Sequence, residues 1–183
     1  MDSLISKVGN VTDGLKRMSK LVISSVSGAA AGAGVSLAFS GDFVVCADNA
    51  KFIMAFVNLG LVPDTGGTYL FVKSLGIQKA MELCVTGRPM IAQEAKDAGM
   101  VYDVVPAEEL DDTVMKLAKK FASGPLLSYK NIKKQIYQAG LADYKKYLDE
   151  CEIPTQRECA ASSDFIEGVK AFMEKRKAEF KGE

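Results

Sequence analysis

The small-residue turn Gly28-Ala29-Ala30-Ala31-Gly32-Ala33-Gly34 constrains this chain more than any other stretch. It follows a largely β-branched run, Leu21-Val22-Ile23-Ser24-Ser25-Val26, and leads into the short apolar segment Val35–Phe39. Strand, tight turn and helix in direct succession predict an α/β fold. The arrangement leaves the first N–H groups of the helix without partners, and these can hold an oxygen bearing negative charge. A second turn, Leu61-Val62-Pro63-Asp64-Thr65-Gly66-Gly67-Thr68, presents one carboxylate just ahead of another helix. An anion-stabilising turn and a lone acid suffice for proton transfer beside a carbonyl. Each feature also has a plainer reading. The glycines allow close helix–strand packing, and Asp64 suits the cap of the following helix.

The chemistry is narrowed by what is missing. The 183 residues contain no histidine, which removes Ser-His-Asp and Cys-His catalysis and every histidine-ligated metal. Cys46, Cys84, Cys151 and Cys159 are widely spaced, with no CxxC pair, and read as buried thiols of a cytoplasmic protein rather than a disulfide or zinc framework. Lys+Arg and Asp+Glu balance at 23 each, so no global field favours nucleic acid or an anionic membrane. No apolar run approaches the ~20 residues of a membrane span, and no signal-peptide pattern opens the chain.

Apolar spacing over Met1–Lys20 (Leu4, Ile5, Val8, Val11, Leu15, Met18) predicts an amphipathic helix. Strands are expected at Leu21–Val26, Phe43–Cys46, Lys51–Ile53 and Met100–Val105. Helices are expected from Gly66 to a glycine stop at Gly76, and over Ile77–Val85, Ile91–Ala98 and Pro106–Ala122. Pro125–Ala139, Leu141–Glu152 and Phe165–Phe180 add a helical C-terminal third. The composition shifts near Gly124 from a mixed core to charged amphipathic helices, so the expected division is a core over 1–124 and a helical subdomain over 125–183.

In order along the chain stand Val26-Ser27-Gly28-(x)3-Gly32-Ala33-Gly34, Ser40-Gly41-Asp42, Ala50-Lys51-Phe52, Leu59-Gly60-Leu61-Val62-Pro63 and Gly66-Gly67-Thr68. Thr86-Gly87, Ala92-Gln93-Glu94-Ala95, Ala98-Gly99-Met100-Val101, Val104-Val105-Pro106 and Glu167-Gly168-Val169-(x)2-Phe172-Met173-Glu174-Lys175-Arg176 follow. This succession resembles the crotonase (enoyl-CoA hydratase/isomerase) superfamily. The resemblance implies a crotonase-like α/β spiral and acyl-CoA thioester chemistry through an enolate. The oxyanion would rest on the Ala33 N–H. It also implies a homotrimer or dimer of trimers, with the helical subdomain covering coenzyme A.

Two departures refine that expectation. Where a hydratase of this family carries two glutamates, this chain has Ser36 and Phe56. The acid that remains is Asp64, in the turn where double-bond isomerases and ring-opening epoxyphenylacetyl-CoA isomerases place theirs. The resemblance therefore implies isomerisation of an enoyl-CoA with Asp64 as acid/base, no metal or redox cofactor, and coenzyme A only as part of the substrate. Ser36, Phe56 and Gly67 are implied to line the acyl-CoA site. Phe172 and Lys175 would reach the nucleotide end of coenzyme A in a neighbouring subunit. The family also has early strands and a loop, giving the first oxyanion N–H, ahead of the matched region. The expectation is thus a truncated chain with half an oxyanion hole, or one completed by another chain. Losing one such donor costs ~2.7–4 kcal/mol of transition-state stabilisation. Two alternatives stay open: an enoyl-CoA hydratase or hydrolase using Ser36 or another water arrangement, and a non-catalytic truncated crotonase-like oligomer.

Overall fold

The computed structural model describes residues 2–182. After α1 (Asp2–Arg17) the chain alternates between two sheets, of three strands each among the described residues. β1 (Ile23–Val26) lies in the first sheet, and two residues later β2 (Ala29–Ala31) lies in the second. Gly28 makes that abrupt crossing with φ 69°, a region that glycine enters without steric cost. After α2 (Ala33–Ala38), β3 (Phe43–Ala47) returns to the first sheet and β4 (Lys51–Ile53) to the second. β5 (Pro89–Ile91) completes the second and β6 (Asp103–Val105) the first. Pairing is parallel, with Val26 opposite Cys46, Val45 opposite Asp103 and Ala30 opposite Phe52; only β5 is antiparallel, with Met90 opposite Phe52.

Burial follows from this alternation. Phe39, Phe52 and Phe71 meet between the layers, with ring centroids 4.6 and 6.0 Å from Phe39. A smaller cluster seals the other face of the first sheet, where Val45 and Ala47 pack on Leu110 and Leu117. Helices α3 (Gly67–Leu75), α4 (Ile77–Thr86), α5 (Ala92–Asp97) and α6 (Leu110–Ala122) cover the sheets. Next come α7 (Leu126–Gly140), α8 (Tyr144–Tyr147), a π-helical turn Leu148–Glu152, α9 (Ile153–Ala160) and α10 (Ser163–Glu174). Among the described residues no helix is long and apolar enough to cross a membrane.

Several expected boundaries move, each for a physical reason. Ala29–Ala31, expected as turn, is a strand because pairing with β4 overrides alanine's weak strand preference. The expected helix at Ile91 starts one residue later, since Ile91 is extended and opposite Lys51. The strand expected from Met100 is confined to Asp103–Val105. The helix expected to end at Glu152 continues to Ala160. The wider π turn accommodates Pro154, which lacks an N–H and would crowd a regular α turn. α10 stops at Glu174 rather than Phe180, because Lys175 turns left-handed (φ 53°) and Arg176 folds back onto Glu167 at 2.6 and 2.8 Å.

α1 also departs from its expected stripe. Val11 and Met18 are exposed, whereas Gly9, Thr12 and Lys16 are buried. The side chains of Leu4 and Ile5 lie outside the described residues. The face is polar because it meets Tyr144, whose hydroxyl is 3.0 Å from Thr12 Oγ1, and the carbonyl of Phe39, 3.4 Å from Lys16 Nζ. The C-terminal helices thus pack back against α1 and the 3-10 turn Ala55–Leu59. Where α10 crosses Leu59, a Cβ on Gly168 would lie 2.7 Å from backbone atoms, so only glycine fits this crossing.

Candidate active site

Two consecutive left-handed residues shape the turn that carries Asp64: Thr65 at φ 59° and Gly66 at φ 88°. A β-branched residue in that region is strained, and such strain persists only where surrounding contacts over-determine it. They do so here. The Asp64 carbonyl accepts from Thr65 Oγ1 (2.7 Å), Ser36 Oγ (3.0 Å) and Gly67 N–H (3.2 Å). The Gly66 N–H donates to both carboxyl oxygens of Glu152, at 2.8 and 3.0 Å. The Tyr144 hydroxyl sits 3.2 Å from the Thr65 carbonyl and so close to Gly66 that a Cβ there would stand 1.9 Å away.

The Asp64 side chain does not cap α3. The cap position is Gly66, with no side-chain bond. Asp64 Oδ2 instead accepts from Gln156 Nε2 at 3.3 Å, and Gln156 Oε1 accepts the Val62 N–H at 3.0 Å. Among the described residues, Asp64 Oδ1 is buried with no hydrogen-bond partner. A buried carboxyl oxygen left unpaired is costly, and native interiors rarely keep one without a use. Burial holds the Asp64 carboxyl above the usual carboxylate range, opposed by the donors Gln156 and Thr65. Glu152 is pushed up to about 8, first by burial and then by the Asp64 charge, while the Gly66 and Thr65 N–H groups pull it down.

α2 supplies the other wall. Gly32 precedes it with φ 56° and ψ −128°, and its own N–H is satisfied by the Ile53 carbonyl at 2.9 Å. Ala33 opens the helix, where an N–H has no intrahelical acceptor four residues back. One turn on, Ser36 is fully buried and directs its hydroxyl proton to the Asp64 carbonyl, which ties α2 to the acid-bearing turn. The Phe56 ring closes over Gly32, 3.6 Å from where a Cβ would stand. Gly67 is wedged under Met54 and Ser36, with a hypothetical Cβ at 2.7 and 2.9 Å from them. Ala33, Ser36, Phe56, Asp64 and Gly67 therefore belong to one locus.

Phe172 and Lys175 do not join that locus within a single chain. Both stand exposed at the far end of α10, Phe172 with 75% of its surface open. Glu152 and Gln156, conversely, were not singled out from the sequence. The signal for them is slight: two polar residues four apart share one helix face, in a segment where Pro154 disfavours an uninterrupted helix. Chemically, the locus offers one unpaired carboxyl oxygen, withdrawn from water, on a turn that Ser36 ties to α2.

Comparison with known proteins follows the same lines. A family model described as Enoyl-CoA hydratase/isomerase matches residues 2–183. A trans-2-decenoyl-[acyl-carrier-protein] isomerase of Streptococcus mutans is 38% identical over 175 residues, covering 96% of this chain and 66% of the relative. A 1,2-epoxyphenylacetyl-CoA isomerase of Escherichia coli is 42% identical over 168 residues, covering 92% and 64%. The chain thus spans about two thirds of the length of these curated relatives. Among solved structures, an enoyl-CoA hydratase from Mycobacterium avium subsp. paratuberculosis superposes with a TM-score of 0.94 at 32% identity, covering 98% of this chain and 73% of that one. The alternating two-sheet architecture is the crotonase-like α/β fold.

Proposed function

The chain belongs to the enoyl-CoA hydratase/isomerase family, and from that premise we propose that it moves the double bond of an enoyl thioester, with Asp64 as the single acid/base. The observation that carries this reading is the buried, unpartnered Oδ1 of Asp64. The thioester carbonyl oxygen rests on the Ala33 N–H, which stabilises negative charge as an enolate forms. Asp64 Oδ1 takes a proton from the carbon next to the carbonyl, and the electron pair delocalises through the double bond onto the oxygen. Return of the same proton at the far end of the conjugated system completes the shift without net change in atoms. Burial that raises the acid's proton affinity suits both halves of this cycle.

Water addition has less support. The serine at the first expected acid position donates its hydroxyl to a backbone carbonyl, and the second position holds a phenylalanine ring. Coenzyme A enters as part of the substrate, with Phe172 and Lys175 of a neighbouring subunit assigned to its nucleotide end in a homotrimer or dimer of trimers. In this reading residues 125–183 form the helical unit that covers the cofactor portion and makes the subunit contacts.

Asp64→Asn tests the proposal. Conversion of a 3-enoyl-CoA to the conjugated 2-enoyl-CoA is expected to fall by ~10²–10⁴, with thioester affinity retained. Isomerisation at the wild-type rate in Asp64→Asn would refute the assignment. Hydration of crotonyl-CoA outpacing isomerisation in the wild-type chain would favour the hydratase instead.

A further inference from the structure

We propose that Gln156 is the positioning residue for Asp64: it holds one carboxyl oxygen so that the other faces the substrate. The inference rests on the reading of Asp64 as the acid/base. Gln156 lies in α9, 92 residues along the chain from Asp64, and only 2% of its surface is exposed. Its amide bridges both sides of Pro63, accepting from the Val62 N–H at 3.0 Å and donating to Asp64 Oδ2 at 3.3 Å. This pair of partners fixes which end of the amide is which. Reversed, an NH₂ would face the Val62 N–H and a carbonyl would face a carboxylate, so both contacts would become repulsive.

The consequence is an asymmetric carboxyl group. Oδ2 is engaged, Oδ1 is buried and free, and rotation about the Cβ–Cγ bond would forfeit the Gln156 bond. A neutral amide is suited to this task. It favours the carboxylate against the burial that disfavours it. A lysine or arginine in the same place would stabilise the anion far more strongly and weaken it as a base. The groups facing the turn from neighbouring elements are Glu152 from the π segment, Tyr144 from α8 and Ser36 from α2. Of these, Glu152 holds its own proton up to about pH 8, so it brings no like charge to Asp64 at pH 7. Gln156 is the neutral donor to the Asp64 carboxyl group, set against its burial.

Gln156→Glu separates positioning from scaffolding, because one oxygen of the new side chain can still accept the Val62 N–H while the donor to Asp64 is lost. The expected result is a kcat for 3-enoyl-CoA isomerisation at pH 7 reduced about tenfold or more, with KM changed by less than about threefold. The acid limb of the kcat/KM profile should move up by about one pH unit, and the 13C-detected titration of the Asp64 carboxyl should move with it. Gln156→Met removes both bonds and should show the same shift with a lower Tm. If it does not fold, the glutamate variant alone decides. Unchanged kcat, profile and carboxyl titration in Gln156→Glu would overturn the inference. Should Asp64→Asn retain activity, the acid/base reading itself falls; should that variant be inactive while Gln156→Glu behaves as wild type, only the positioning role falls.

Discussion

Asp42 and Asp64 both sit in turns between core elements and are both largely withdrawn from water, yet they are built to opposite ends. Around Asp42 both carboxyl oxygens are engaged. Oδ2 accepts from Lys133 Nζ at 2.7 Å and from the Val22 N–H at 2.8 Å, and Oδ1 accepts from the Tyr137 hydroxyl at 2.8 Å. Lys133 in turn reaches the Leu15 carbonyl in the last turn of α1, at 2.9 Å, and the Lys20 carbonyl beyond it, at 3.1 Å. Around Asp64 the donors converge on the backbone carbonyl, and the carboxyl group receives one amide and keeps an empty oxygen. A saturated carboxylate stabilises a fold, whereas an unsaturated one costs stability and is available for chemistry. The difference separates a tie between α1, α7 and the first sheet from a candidate acid/base.

The largest effect expected from this comparison lies at Asp42. Asn at that position strips the counter-charge from Lys133, whose side chain is 4% exposed, and breaking such a buried pair costs about 3–5 kcal/mol. For a domain of this size that is a Tm lower by roughly 10 °C. Asp64→Asn should behave in the reverse sense, leaving Tm equal to or above wild type because an uncompensated buried carboxyl is removed. Thermal melts of the two variants side by side decide it. A Tm loss at Asp64 as large as at Asp42 would erase the contrast.

Glu152 sharpens the comparison through pH. Its carboxyl titrates at about 8 in the fold against an ordinary 4.5, so the native state binds its proton more tightly than the unfolded chain. Its contribution is therefore complete below pH 4.5 and is lost progressively as pH rises through about 8, with the decline amounting to a few kcal/mol. Glu152→Gln keeps an acceptor for the Gly66 N–H and removes the titration. Calorimetric melts between pH 5 and 8.5 should show a falling Tm for wild type and a flatter one for the variant. A wild-type Tm independent of pH over that window would contradict the buried, proton-holding role.

How much of this was legible in the sequence divides along the same line. The glycine turns at Gly28 and Gly32 and the Asp64 turn are local, spelled by small residues and by Pro63-Asp64-Thr65-Gly66, and they stand where expected, although a strand lies between the two glycines and α2 opens at Ala33 rather than Val35. β2 was hidden because three alanines carry no alternating pattern, and its partner β4 lies some twenty residues on. The setting of Asp64 was hidden more deeply. Gln156 and Glu152 reach the turn from a helix that an interior proline seemed to forbid, and the π turn that permits it has no sequence period of its own. The buried face of α1 misled for a similar reason. Thr12 and Lys16 are interior because their polar atoms find partners from distant segments.

Ser36 provides the smallest and most discriminating effect. Its hydroxyl donates to the Asp64 carbonyl at 3.0 Å, and its own carbonyl accepts from Ser40 Oγ at 2.6 Å, so the side chain ties α2 to the acid turn and has no proton left for water. Ser36→Ala deletes one buried hydrogen bond of two on that carbonyl from side chains, since Thr65 Oγ1 remains at 2.7 Å. The expected cost is about 0.5–1.5 kcal/mol, and isomerisation should fall by no more than about threefold, since the carboxyl group keeps Gln156. A hydratase that depended on Ser36 would instead lose orders of magnitude, as general acid–base groups contribute ~10²–10⁴. Parallel assays of Ser36→Ala on a 3-enoyl-CoA and on crotonyl-CoA therefore separate a tether from a reacting group. A collapse in either rate would move the chemistry from the turn that holds Asp64 to the helix that faces it.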